Sequence, residues 1–199
     1  MGLGTWFQQT AEPNFNRFLM MVAGEPNLRF LQIGVFRGDA SEWMLRNVLT
    51  EKGSTLVDVD PWGFDESYTE LDPLAIDWNY EFKSYKKRME PYRDRVVVRS
   101  MDSNTFFAQE AEDPYQQELF DFIYIDGAHD PIHTLEDGVH AYRALKPGGL
   151  LAFDDYTYET EDRDPYKAPT MAIDAIRNIY KNELIPIEIG SQVWFRKAK

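Results

Sequence analysis

The sequence predicts an α/β domain, a mostly parallel sheet of seven strands with helices on both faces and an antiparallel hairpin at the C-terminal end. Three observations predict it. Five short apolar runs, at 28–35, 54–60, 95–100, 120–126 and 149–155, alternate for the most part with segments of helical periodicity. That order yields parallel strands joined by right-handed crossovers. Four of these runs lead into glycine or end in aspartate, which places polar groups at the carboxyl ends of the strands. Two more strand candidates, 184–189 and 192–197, are joined by Gly190 and Ser191 and read as a hairpin.

The elements follow in order. Phe15, Phe18, Leu19 and Val22 have helical spacing over 14–23 and stop at Gly24, with Pro26 beyond, which predicts a packing helix. "LRFLQIGV" (28–35) is the first strand and its turn, and "DASEWMLRNVL" (39–49) the helix after it. "STLVDVD" (54–60), "RVVVRS" (95–100), "FDFIYID" (120–126) and "GLLAFDD" (149–155) are the next four strands. Between the last two, Asp130 is a helix N-cap, Pro131 opens the helix, and Lys-Pro-Gly-Gly ends it. A helix through 170–180 precedes the hairpin. Residues 61–92, rich in Trp, Tyr, Phe and acid, and residues 156–169 exceed ordinary connections and break the alternation. They are expected to be lid insertions over a substrate within one domain spanning 1–199.

Length and charge narrow the function. A chain of 199 residues, 43% apolar and 15% aromatic, supports one sizeable core. A net charge of -13 repels phosphate backbones and anionic lipid, so neither nucleic acid nor membrane is an expected partner. Cysteine is absent, which excludes disulfides and thiolate metal sites, and no cationic apolar leader is present. No apolar run approaches the ~20 residues that span a bilayer. The expectation is a cytoplasmic protein, with a homo-oligomer left open.

In an open sheet of this kind, ligands bind beyond the carboxyl ends of the strands where strand order reverses. Four groups of residues are expected there. Gly34 and Gly38 in "QIGVFRG" let the backbone approach a ligand, or serve only a tight turn. The spacing is G-x-x-x-G with Phe36 between, which disfavours pyrophosphate binding. Asp58 or Asp60 ends the second strand, where a carboxylate can accept ribose hydroxyls; Asp60 is the better placed, although an Asp before Pro61 can also simply form a turn. Asp126, Asp154 and Asp155 end two strands joined by one crossover helix, and strands lie about 4.8 Å apart when paired. Three carboxylates with no basic residue in the local sequence invite a hard cation, Mg²⁺ first and Ca²⁺ or Mn²⁺ next, unless they cap and hydrogen-bond locally. His129, three residues after Asp126, can overhang the same rim as a general base. His133 and His140 fall in the following helix as packing or surface residues.

"FLQIGVFRGDAS", "LVDVDPW", "DFIYIDGAH", "LKPGGLLAFDDY" and "AIDAI", in this order, resemble the class I S-adenosylmethionine-dependent methyltransferases over roughly residues 28–196. The nearest branch is the metal-dependent O-methyltransferases of macrolide sugars, with the catechol O-methyltransferases more distant. The resemblance implies a Rossmann-like methyltransferase fold and S-adenosyl-L-methionine as cofactor. By it, Gly34 and Gly38 surround the methionine moiety, Ser41 helps hold its carboxylate, Asp60 binds ribose, and Asp102 and Ser103 lie at adenine. Asp126, counted also with the cofactor-binding residues, falls with Asp154 and Asp155 on the family's metal ligands, and His129 on its catalytic base. The chain departs from the family at Gln32, where many relatives are acidic, and at Gly127 and Ala128, where catechol enzymes stack an aromatic on adenine. Trp62 is the candidate to cover that face instead.

The expected reaction is methyl transfer from a sulfonium to a hydroxyl of a small molecule, a sugar, polyketide or catechol-like diol chelated by the ion and deprotonated by His129. The alternatives are a metal-independent methyltransferase of the same fold, a non-catalytic protein holding S-adenosylmethionine or a nucleotide, and a nicotinamide oxidoreductase, the last disfavoured by the glycine spacing.

Overall fold

The computed structural model describes residues 6–63, 76–110, 119–158 and 164–199. Short helices α1 (Trp6–Thr10) and α2 (Glu12–Phe18) lead through a 3-10 turn into β1 (Arg29–Ile33), α3 (Asp39–Asn47) and β2 (Thr55–Val59). Then come α4 (Trp78–Met89), β3 (Val96–Arg99), α5 (Ser103–Glu110), β4 (Phe120–Ile125) and α6 (Pro131–Ala144). The chain closes with β5 (Leu145–Phe153), α7 (Thr170–Ile179), β6 (Leu184–Ile189) and β7 (Val193–Lys197).

One seven-stranded sheet runs in the order β3-β2-β1-β4-β5-β7-β6. The first five strands pair in parallel, while β7 pairs antiparallel with both β5 and β6. The fold class is therefore as expected, closing hairpin included. Strand order reverses between β1 and β4, so their carboxyl ends flank the crevice in which such sheets bind ligands.

Alternation along the strands builds two cores. Phe30, Leu56, Phe122, Tyr124, Ala152 and Trp194 face α2, α3 and α4; Leu31, Val57, Ile123, Ile125, Phe153 and Phe195 face α5, α6 and α7. Successive strand side chains leave on opposite faces, so a strand buried on both is apolar along most of its length. Phe15 of α2 fastens the N-terminal helices to the first core. Its ring meets Phe122, Tyr124 and Trp194 edge-on at 5.8, 5.0 and 5.5 Å between centroids.

Three boundaries differ from the sequence expectation. The helix expected over 14–23 starts at Glu12 with Pro13 in its first turn and gives way to a 3-10 turn at Met20–Val22. Strand β5 starts at Leu145, so Lys-Pro-Gly-Gly lies inside it; the pairing with β4 shifts register between Phe120 and Phe122, and Lys146 reaches Asp121 at 2.8 Å. Residues 78–89, within a stretch expected to break the alternation, form the crossover helix α4. Trp78, Phe82, Tyr85 and Met89 recur at helical spacing, and Asp77 caps the helix by accepting from the Tyr80 N–H. The remainder of the two expected lids at 64–75 and 159–163 lies outside the described residues. Among the described residues, no helix is long and apolar enough to cross a membrane.

Candidate active site

The loop after β1 fits closely against β4. Gly34 has φ 78°, and a Cβ there would sit 2.0 Å from the Asp126 carbonyl oxygen, so only glycine lets the two strand ends close. Gly38, at φ 77°, starts α3 with Tyr85 against it, where a Cβ would approach the ring to 2.8 Å. Phe36 between them holds φ 52° without being glycine, a strained conformation that needs its surroundings to impose it. They do: Asp60 Oδ2 accepts from Val35 N at 2.7 Å and Phe36 N at 2.9 Å, and the Trp62 indole donates to Phe36 O at 2.8 Å. Arg37 makes a paired contact with Glu81 of α4, whose side chain is only 6% exposed.

Below this loop lies a buried polar layer. Gln32 donates to Gly34 O at 2.9 Å and accepts the Ser41 hydroxyl at 3.0 Å. Asp58, in register with Gln32, accepts from the Tyr85 hydroxyl at 2.8 Å through Oδ2, while its Oδ1 has no partner. Burial pushes the Asp58 carboxyl up to about 7 despite the Tyr85 hydroxyl. Asp60 is also raised by burial, offset by the N–H groups of Phe36, Val35 and Trp62. Of the two acids offered for ribose, Asp60 reaches the loop and already organises it; Asp58 is fully enclosed. Ser41, expected near the methionine carboxylate, is fully enclosed too, with its proton committed to Gln32.

The acidic rim forms where β4 and β5 end side by side. A small crevice is lined by Asp126, Gly127, Ala128, His129, Thr134, Phe153, Asp154, Asp155 and Pro169 among others. One ligand atom each from Asp126, His129 and Asp155 lies within 4.8 Å of the others. His129 Nε2 stands 2.9 Å from Asp155 Oδ2, and its ring packs against Tyr158 at 4.8 Å. Asp155 has φ 57°, a left-handed residue that breaks strand alternation just where two consecutive acids must both serve the rim.

Asp154 stands beside this convergence rather than within it. Its Oδ2 accepts from the Tyr124 hydroxyl and its Oδ1 from Asp155 N at 2.9 Å. Burial first, then Asp154 and Asp155, raise the Asp126 carboxyl well above the ordinary range, offset by the Tyr124 hydroxyl. Burial lowers the His129 imidazole, but the hydrogen bond and charge of Asp155, then Asp154 and Asp130, more than offset it and leave it above its ordinary value. Two crowded carboxylates beside an imidazole suit a divalent cation, which would offset the burial and the repulsion that together hold Asp126 high.

On the far side of β1, Asp102 caps α5, accepting from Thr105 N at 2.8 Å and the Thr105 hydroxyl at 2.6 Å. Ser103 hydrogen-bonds Asp137 of α6, a buried acid raised by burial to about 7 with one oxygen unpartnered. Trp62, the expected cover for adenine, is 1% exposed and packs on Phe82 and Tyr85, each at 4.8 Å. It belongs to the core on the α4 side, not to the crevice. His133 pairs with Asp130 at 2.7 Å and His140 stacks on Phe107 at 4.9 Å, both structural roles.

Residues 31–156 match the methyltransferase domain family. The chain belongs to that family. It is a class I S-adenosylmethionine-dependent methyltransferase. No curated protein matches the sequence. Similar solved structures include an O-methyltransferase of Bacillus cereus in complex with S-adenosylhomocysteine, at 20% identity over 94% of this chain and 81% of that one, TM-score 0.62. TomG of Streptomyces achromogenes, involved in tomaymycin synthesis and bound to S-adenosylmethionine, is 15% identical over 98% and 87%, TM-score 0.65. The mycinamycin-pathway methyltransferase MycE, bound to Mg, S-adenosylhomocysteine and mycinamycin VI, is 16% identical over all of this chain but only 51% of its own length, TM-score 0.62.

Against the sequence expectation, this methyltransferase brings Gly34, Asp60, Asp126, His129 and Asp155 to one rim. It places Ser41 beneath that rim and commits Asp102 to a helix cap. Sequence reading missed Tyr124, Gln192 and the Arg37–Glu81 pair. Tyr124 stood in plain view as the only hydroxyl in an otherwise apolar half-strand; the other two depend on contacts distant in sequence.

Proposed function

We propose that this methyltransferase acts on a hydroxyl of a small molecule with the help of a divalent cation, Mg²⁺ by preference. The observation that carries this reading is the convergence of Asp126, His129 and Asp155 at the switch-point rim. Likeness to MycE, solved with Mg and mycinamycin VI, supports it. S-adenosylmethionine supplies an electrophilic methyl and leaves as the neutral thioether. A cation held by Asp126 and Asp155, with Asp154 adjoining, supplies Lewis acidity toward a chelated hydroxyl. Gly34 and Gly38 shape the cofactor cradle, Asp60 fixes its wall and faces the ribose, and Ser103 stands at the adenine end. Asp102 and Ser41 act from behind, through the cap and through Gln32.

With the cation on Asp155 in place of its imidazole partner, His129 would be the group positioned to take the hydroxyl proton. Deprotonation by a positioned base contributes about 10²–10⁴-fold. Tyr158 walls the acceptor side, in keeping with a lid role for 156–169. The net charge of -13 disfavours nucleic acid as acceptor.

The test is calorimetric titration with S-adenosylhomocysteine, with and without Mg²⁺, followed by methyl transfer to a panel of vicinal diols and catechols. Transfer that stops with a strong chelator and returns with Mg²⁺ supports the reading; full activity in the chelator overturns the cation. The His129–Asp155 pair favours one second reading, in which the imidazole itself compensates the acid and no ion is needed.

A further inference from the structure

A phenol hydroxyl at position 124 is out of keeping with its surroundings. Tyr124 is 1% exposed, its ring lies edge-on to Phe15 at 5.0 Å and stacks with Phe122 at 6.5 Å. A phenylalanine would fill the same space. Buried polar groups persist where they are fully partnered and specify one geometry. The hydroxyl is partnered on both sides: it donates to Asp154 Oδ2 and accepts from Gln192 Nε2 at 3.4 Å. Gln192 is itself fully enclosed, and its Oε1 accepts from Asn14 Nδ2 at 3.0 Å and from Trp194 Nε1 at 2.9 Å. A line of hydrogen bonds therefore runs from α2 and β7 through the first core to one acid at the rim.

We propose that Tyr124 is a positioning residue for the cation site: held by Gln192, its hydroxyl fixes the Asp154 carboxylate beside Asp126 and Asp155, where it adjoins the ion they would hold. The proposal rests on the cation reading above. A carboxylate offers about four lone-pair positions. Asp154 spends Oδ2 on Tyr124 and Oδ1 on Asp155 N, with Gln192 bearing on the same carboxylate, so rotation about its side chain is restrained while lone-pair capacity remains for an ion. Partners of metal ligands set ligand orientation and basicity, and losing one costs about 10–100-fold in metal affinity.

Tyr124→Phe removes the hydroxyl and keeps the ring. Mn²⁺ affinity, followed by electron paramagnetic resonance with saturating S-adenosylhomocysteine, should weaken about 10–100-fold. Affinity for S-adenosylhomocysteine without metal should stay at the wild-type value, which a general loosening of the fold would not allow. In an Asp154→Ala background the same change should add much less than in the wild type, because its effect passes mainly through Asp154 and only secondarily through Asp126. Tyr142→Phe, which loses a phenol hydroxyl remote from the rim, should bind Mn²⁺ as wild type does. If Tyr124→Phe does not fold, Gln192→Met carries the test, with a weaker loss in the same direction. Wild-type Mn²⁺ affinity in both variants overturns the positioning role alone. A wild-type protein that binds S-adenosylhomocysteine but no Mn²⁺ overturns the cation reading and this inference with it.

Discussion

Asp58→Asn should make the protein more stable at alkaline pH while leaving it nearly unchanged in acid. The Asp58 carboxyl is fully buried and pushed from 3.8 to about 7. Its folded value lies above its unfolded one, so between these limits the folded state holds a proton that the unfolded state has released. Stability from this group is complete below pH 3.8 and is lost as pH rises through about 7. A gap of about three pH units at ~1.4 kcal/mol each gives a total loss of about 4 kcal/mol. Between pH 5 and pH 8, the part of that window accessible without acid unfolding, the loss is about 3 kcal/mol. The substituted amide keeps an acceptor for the Tyr85 hydroxyl and has no charge to desolvate. Urea unfolding of both proteins at pH 5, 6, 7 and 8 measures the difference. The variant's advantage should grow by about 3 kcal/mol across the series. Parallel curves would refute the reasoning, because they would mean that the enclosed carboxylate finds solvation or a partner that its surroundings do not offer.

Three further outcomes follow from the geometry. Gly34→Ala places a methyl 2.0 Å from Asp126 O at a positive φ, so it should cost more than ~1 kcal/mol in thermal unfolding and weaken S-adenosylhomocysteine binding measured by calorimetry. His129→Ala should lower kcat by about 10²–10⁴-fold with S-adenosylhomocysteine affinity retained, as read from steady-state rates beside a binding titration. Phe15→Ala removes the ring shared by Phe122, Tyr124 and Trp194 and should destabilise the fold by about 3–5 kcal/mol in urea.

The strands were legible because a sheet buried on both faces demands largely apolar runs, and the chain has them at β1, β2, β4 and β5, interrupted by Gln32, Asp58 and Asp121. The rim was legible for the same reason: Asp126 and Asp155 are conspicuous at the ends of such runs. The start of β5 was not, because Pro147, Gly148 and Gly149 look like a helix stop, whereas the Lys146–Asp121 contact that holds them against β4 spans distant sequence. α4 went unread among aromatic and acidic residues although its apolar positions repeat at helical spacing. Ser41 and Trp62 were assigned to the cofactor from their places in motifs. Their burial depends on α3 and α4 closing over them, which no local pattern reports. Asp154 was read as equal to its neighbour, and only the position of the Tyr124 hydroxyl on the adjoining strand separates the two.

The strand-to-helix turn of 34–38 is tied by Asp60, Trp62 and Glu81 at once. A cradle already rigid when empty gives up little conformational freedom on meeting its guest. Capture of the sulfonium donor should accordingly be rapid, with a small ordering entropy.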